Sequence, residues 1–299
     1  DAMVEKTKAL EAYQEAGEDP KALECIPMLK RSDIKKEAAK IVNEELTVDN
    51  SLFLYHDVCT NGIGYVDLMF KTDSIAPEQI PYLGLLKSVL GYVDTENYTY
   101  GELFNEINAN TGGINCGVEV FDRADSTEEF QAMFSVRGKA LYTKMDFLFK
   151  MIGEILNSSK LEDTKRLYEI VASVKSRAQV NLTGAGHSTA VLRAAAYSSP
   201  MAAFQDEMAG IGYYQFIEKL EKDFEQRKEE TVEELCKLMK EILRPENFMI
   251  SYTGERESLE TVQKLAGAVK AGLGTEPVEK SEEKLTCTKK NEGFKTSGQ

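Results

Sequence analysis

The chain has 299 residues, with Asp+Glu 50 against Lys+Arg 36, a net charge of −14, and 42% apolar and 29% charged residues. That is enough apolar material for a sizeable core in one large domain or two smaller ones. The acidic balance argues against a nucleic-acid backbone as partner, because phosphate binding needs an excess of Lys and Arg. No apolar run approaches the roughly 18 residues that a membrane helix needs, so no membrane partner is expected either.

Five cysteines (Cys25, Cys59, Cys116, Cys236 and Cys287) stand far apart and form no Cys-x-x-Cys pair, which fits a reduced, intracellular protein better than a disulfide scaffold. Only two histidines occur, His56 and His187, and this limits metal and acid–base chemistry.

Residues 1–46 read as a helical hairpin linker. Val4, Ala9, Leu10, Tyr13 and Ala16 fall near helical spacing, Gly17 closes the segment, and Pro20 opens a second helix reaching Ile26. The charged stretch Lys30 to Lys40 is expected outside the main core.

Period-two alternation marks four strands. Leu52, Leu54, His56 and Val58 share one face of the first; Val66, Leu68 and Phe70 share a face of the second. Ile114, Cys116, Val118 and Val120 mark the third, and Phe130, Ala132, Phe134 and Val136 the fourth, with Asp122 to Glu129 as a polar hairpin loop. Two helices, 77–92 and 99–110, lie between the second and third strands. The first carries a stripe of Tyr82, Leu83, Leu86, Val89, Leu90 and Val93; the second has a Thr99–Glu102 capping box and a core face of Leu103, Phe104 and Ile107. Helices then follow over 143–157, 161–182, 187–198, 199–208, 212–226 and 228–243, with a fifth strand at Phe248, Ile250 and Tyr252 and a closing helix over 256–272. The order ββααββ, helices, β, α predicts an α+β fold: a mainly antiparallel sheet with helices on one face, forming one domain over 47–275 before a polar tail, 276–299.

No catalytic set emerges. His56 and Cys59 have the spacing His-x-x-Cys but lack two further metal ligands nearby, so His56 reads as a packed or hydrogen-bonded histidine. His187 and Ser188 lie among small residues but not in a Gly-x-Ser-x-Gly elbow; they read as a helix break, with Ser188 or Thr189 helping to begin the next helix. Thr111, Gly112 and Gly113 precede a strand, the reverse of a phosphate loop, and read as a tight helix-to-strand turn. The apolar stripe Leu220, Phe224, Val232, Leu235, Leu238, Met239 and Ile242 suits ordinary packing of two charge-rich helices. No catalytic residue and no metal ligand is therefore assigned in this chain.

Several segments, in order, resemble the presequence-protease branch of the insulinase/pitrilysin (inverzincin) zinc metallopeptidase superfamily. They are Cys25–Ile34 (CIPMLKRSDI), Ile80–Leu86 (IPYLGLL), Glu102–Ile114 (ELFNEINANTGGI), Phe134–Leu141 (FSVRGKAL) and Gly186–Ala195 (GHSTAVLRAA), within residues 22–275. The resemblance implies a clamshell of four related domains enclosing a chamber, with zinc held by a His-x-x-Glu-His helix and a distal Glu in the first domain. The corresponding helix here carries Tyr82, Leu83, Leu85 and Leu86, with no ligand among them. By that resemblance the chain is the linker and the third, non-catalytic domain. The zinc would sit in an N-terminal half before Asp1, and the fourth domain, with its Arg and Tyr pair, would lie beyond Gln299. Its expected partners are that catalytic half, the fourth domain and short unfolded peptides, among which an acidic wall would favour basic ones. The expected location is bacterial cytoplasm, or an organelle matrix in a eukaryote. Two alternatives are an inactive interaction subunit pairing with a separate active peptidase subunit, and a hydrolase using His187 and Ser188.

Overall fold

The computed structural model describes residues 2–38, 40, 42–278, 281, 283 and 285–295. The chain forms two compact units, residues 1–41 and 42–299. In the first, α1 (Ala2–Glu15) is followed by the short α2 (Pro20–Leu23), whose first turn is capped by the Asp19 carboxylate accepting from Lys21 N–H. Neither helix has a buried residue, and the charged segment from Lys30 to Glu37 is exposed throughout.

The second unit is built on a six-stranded sheet in the order β1-β2-β6-β3-β5-β4. The strands are β1 (Glu44–Val48), β2 (Ser51–Asp57), β3 (Ile63–Lys71), β4 (Ile114–Arg123), β5 (Ser126–Leu141) and β6 (Phe248–Gly254). Every ladder is antiparallel except β2–β6, which is parallel, so the sheet is mainly antiparallel as expected. The helices are α3 (Ile80–Val89), α4 (Tyr100–Asn110), α5 (Met145–Ser158), α6 (Thr164–Gly184), α7 (Gly186–Ala195), α8 (Pro200–Ala209), α9 (Ile211–Lys222), α10 (Phe224–Ile242) and α11 (Leu259–Ala271). No helix among the described residues is long and apolar enough to cross a membrane.

One sheet face is apolar and buried. Phe53 and Tyr55 of β2, Val66, Leu68 and Phe70 of β3, Phe134 and Val136 of β5, and Ile250 and Tyr252 of β6 alternate onto it. Leu83 and Leu86 of α3, Leu148 and Ile152 of α5, and Val262 and Ala266 of α11 close over it. Each fully buried Leu or Phe contributes roughly 1.5–3 kcal/mol. Close approach is set by missing side chains: a Cβ on Gly138 of β5 would fall 2.6 Å from Leu148 Cδ1, so α5 lies directly on the strand.

Several expectations need correction. A strand at Glu44–Val48 was not anticipated, because its residues are at most half-buried and its alternation is carried by Leu46 and Val48 alone. In β2 the core face is Phe53 and Tyr55, and Leu52, Leu54 and His56 point the other way. Apolar residues occupy both faces of that strand, so period two could not choose between them. The polar stretch 122–129 is strand for most of its length: β4 and β5 are separated only by Ala124 and Asp125, with a register irregularity at Asp122/Arg123. Helix 77–92 is a 3-10 turn over Pro77–Gln79 followed by α3, and α3 is buried on nearly every side, from Ile80 to Leu86. Phe104 of α4 is 57% exposed, leaving Leu103 and Ile107 as its buried face. The Thr99–Glu102 capping box is present, each side chain bonding the other's main-chain N–H.

Within the predicted tail 276–299, residues 279, 280, 282, 284 and 296–299 lie outside the described residues. The described part touches the domain: Ser281 N–H donates to Ser74 O at 3.0 Å, Leu285 packs on the core, and Glu292 pairs with Arg193 at 2.6 Å.

Candidate functional site

The sequence-flagged residues do not assemble. His56 is tied within the sheet region, its Nδ1 2.7 Å from Val42 O and its Nε2 3.3 Å from Ser251 Oγ, which makes it the hydrogen-bonded histidine expected. Cys59 is exposed, with Sγ 3.9 Å from Asn61 Oδ1. His187 and Ser188 are both exposed on the first turn of α7. The break between α6 and α7 is the single residue Ala185, so Ser188 and Thr189 are inside the helix rather than caps; Thr189 Oγ1 donates back to Ala185 O at 3.2 Å. Among the described residues no group of three or more His, Cys, Asp or Glu could hold a metal ion.

Thr111 to Gly113 form the expected tight turn. Thr111 Oγ1 donates to Ile107 O at 2.7 Å, and Gly113 N–H donates to Thr111 Oγ1 at 3.0 Å. Gly113 has φ +105°, a conformation that side chains disfavour. Gly112 N–H bonds Lys139 O at 2.7 Å, and a Cβ there would collide with the Lys139 stem.

The surface with the most convergent polar groups is the other face of the sheet. Register places Leu54, Ser251, Asp67, Arg137 and Asn115 side by side across five strands. The next row runs His56, Thr253, Tyr65, Lys139. These rows floor a depression of about 390 Å³, bounded by Tyr65, Asp67, Arg137, Lys139, Ser251 and Gly113. Arg137 Nε lies 2.8 Å from Asp67 Oδ2 and its Nη1 3.2 Å from Glu119 Oε1. Burial pushes the Asp67 carboxyl up, and Arg137 pulls against that. Asp67 Oδ1 and Ser135 Oγ are buried without a hydrogen-bond partner among the described residues. Met69 and Met133 are buried on this face but outside the main core. The charges balance: Glu45, Asp67 and Glu119 oppose Lys71, Arg137 and Lys139. This face can contact polar main chain, but the carboxylate–guanidinium cluster at its centre is paired with itself.

Two clusters that sequence reasoning did not identify hold the loops. Glu255 accepts from the N–H groups of Thr60, Asn61 and Gly62 at 3.0, 3.1 and 3.3 Å and from the Tyr142 hydroxyl. The Tyr142 bond foremost holds its carboxyl down at about 2. Asp206, 1% exposed, accepts from Ile211 and Gly212 N–H at 3.1 and 3.2 Å and from Arg193, joining α7 to the α8–α9 turn. No local pattern marks either carboxylate, since most of the partners are distant in sequence or are main chain.

Solved structures share the fold: a protease from Helicobacter pylori (TM-score 0.56, 15% identity, 82% of this chain and 54% of that one) and a peptidase M16 inactive domain from Pseudomonas fluorescens (TM-score 0.53, 15% identity, 81% and 54%). The architecture is thus that of an M16-type α+β domain, with helices on one sheet face. The model of the associated domain of M16 peptidases, subfamily C, matches residues 1–220. The chain belongs to that family of peptidase-associated domains. Among curated relatives, Protein HypA of Clostridium perfringens is 34% identical over 99% of this chain, and presequence protease 1 of Arabidopsis thaliana is 28% identical over 86%. The matches take up 30% and 24% of those proteins, so the chain spans about a quarter to a third of their length.

Proposed function

We propose that the chain serves as part of the wall of a peptide-degrading chamber in a presequence-protease-like zinc metalloendopeptidase. In this reading the sheet unit from residue 42 to 275 is the non-catalytic domain, 1–41 are the helical linker acting as hinge, and 276–299 lead to a following domain. Zinc and the general base belong to a separate catalytic half, in the bacterial cytoplasm or an organelle matrix. The observation that carries the proposal is the two-sided sheet: helices cover one face, and the other offers an in-register polar floor with a depression of about 390 Å³. Such a floor suits extended, unfolded peptide, whose main-chain groups need polar contacts whatever its sequence. The balanced charge of this floor means that it does not itself select basic peptides, although the chain's net charge of −14 attracts them at longer range.

The test has two arms. The chain by itself should bind no stoichiometric zinc and cleave no unfolded peptide; chelator-sensitive cleavage would overturn the non-catalytic assignment. In the longer polypeptide, Ser251→Trp should fill the depression and raise KM for unfolded peptides several-fold with unchanged unfolding temperature. Unaltered turnover of every peptide tested would refute the wall role.

A further inference from the structure

The sheet has a free edge at β4. Among the described residues only β5 pairs with it, so the outward N–H and C=O groups from Ile114 onward have no strand partner there. Beside this edge lies a groove of about 610 Å³ between β4, α3, α4 and α6, reaching the strand at Gly113, Ile114, Asn115 and Cys116. A second depression of about 260 Å³ reaches the α8–α9 turn, and Lys87, Ser88 and Arg177 line both.

The residues shared by the two depressions carry positive charge only. Arg166, further along the groove, is matched: its Nη1 lies 2.9 Å from Glu169 Oε2 and its Nε donates to Tyr92 O. Lys87 and Arg177 form no ion pair within 4.0 Å among the described residues. Lys87 is half-buried, and burial pulls its ammonium below the usual lysine range, with Glu119 opposing. Tyr213, 6% exposed, lines the second depression, where its hydroxyl faces the Ser88 hydroxyl and the Arg177 charge. The Ser88 hydroxyl beside it donates to Gly84 O at 3.4 Å. A half-buried cation without an ion pair is costly, and one carboxylate supplies acceptors to Lys87, to the Tyr213 hydroxyl and to the more exposed Arg177 at once.

We propose that this groove binds an extended peptide as a seventh strand on β4, with a peptide carboxylate seated among Lys87, Arg177 and Tyr213. Main-chain pairing to the free edge supplies affinity without sequence preference, and the cationic end supplies selectivity for an acidic residue or a free C-terminus. The preference is opposite in sign to the one that the net charge of the chain suggests. It stands apart from the wall role, because binding is read on the 299-residue chain itself.

The experiment is fluorescence anisotropy with labelled peptides of about ten residues, the length of a long strand. One peptide carries Glu and a free C-terminus. The others carry Gln for Glu, a C-terminal amide, both changes, Lys for Glu, or N-methyl groups on alternate residues. The doubly neutral and Lys peptides should bind at least about tenfold more weakly than the acidic one. The two singly changed peptides say whether side chain or terminus is the anion. N-methylation should abolish binding. Lys87→Gln and Arg177→Gln should each weaken the acidic peptide about tenfold. Tyr213→Phe, which removes only the hydroxyl, should weaken it several-fold with the near-UV circular dichroism unchanged. Equal binding of acidic, neutral and Lys peptides would overturn the carboxylate site. Undiminished binding of the N-methylated peptide would overturn strand addition. Saturation by inorganic phosphate with no peptide bound would make this a free-anion site and overturn the proposal.

Discussion

Replacing Gly84 by Ala sets two effects against each other. Gly inside a helix is about 1 kcal/mol less favourable than Ala, so with open space the change would stabilise. Gly84 lies mid-way along α3, where it meets α8. An added Cβ would fall 2.7 Å from Met208 O and 2.8 Å from Tyr213 Cε2, whereas ordinary contact begins at 3.4 Å. The helices would therefore have to separate by about 0.7 Å, the difference between 3.4 and 2.7 Å. Met208 O is main chain and moves only with α8, so relaxation by a rotamer change is closed. Overpacking costs about 1–3 kcal/mol, and a backbone contact belongs at the upper end. Setting about 3 against about 1 leaves a net loss near 2 kcal/mol, or a fall in Tm of about 4–8 °C. Gly153 of α5 is the internal control, because a Cβ there meets nothing within 4 Å. Gly153→Ala should be neutral to stabilising by up to about 1 kcal/mol. Urea unfolding of both variants at constant m-value is the assay. If Gly84→Ala matches or exceeds wild-type stability, α3 and α8 are not packed as described and the reasoning fails.

Two further outcomes are expected. Asp206→Ala should destabilise by about 2–3 kcal/mol, since it leaves the buried N–H groups of Ile211 and Gly212 without their acceptor and Arg193 with Glu292 as its remaining carboxylate; a loss under about 1 kcal/mol in denaturant unfolding would contradict this. The Glu255 carboxyl is held at about 2 against an ordinary 4.5, so its contribution is complete above about 4.5 and is lost as pH falls toward 2. Glu255→Gln should therefore flatten the fall of the unfolding midpoint between pH 5 and pH 2; Glu292, held low by Arg193 and Tyr197, keeps part of the slope, and an unchanged curve would refute the role given to Glu255.

Much of the fold was legible from local pattern. The Ile114–Val120 and Val66–Phe70 alternations, the Thr99 cap, and the stripe from Leu220 to Ile242 report burial directly, because each residue's environment repeats with the period of its own element. Lys87, the sole charge within Ile80–Val89, is legible in the sequence as the one cation on an otherwise apolar helix. The free edge beside it is not, since strand order depends on β6 entering between β2 and β3 from the far end of the chain.

By itself the sequence determined the α+β class, the element order, the resemblance to the presequence-protease branch and the absence of an assigned catalytic set. Only the tertiary structure decided which face of β2 is buried: the parallel pairing of Phe53 with Ile250 and Tyr55 with Tyr252 fixes it, across nearly 200 residues of intervening chain. It also decided that Asp67 meets Arg137 on the open face, and that Lys87, Arg177 and Tyr213 converge from three helices. Periodicity encodes in or out for each segment, and the identity of the neighbour is set by how segments distant in sequence pack together.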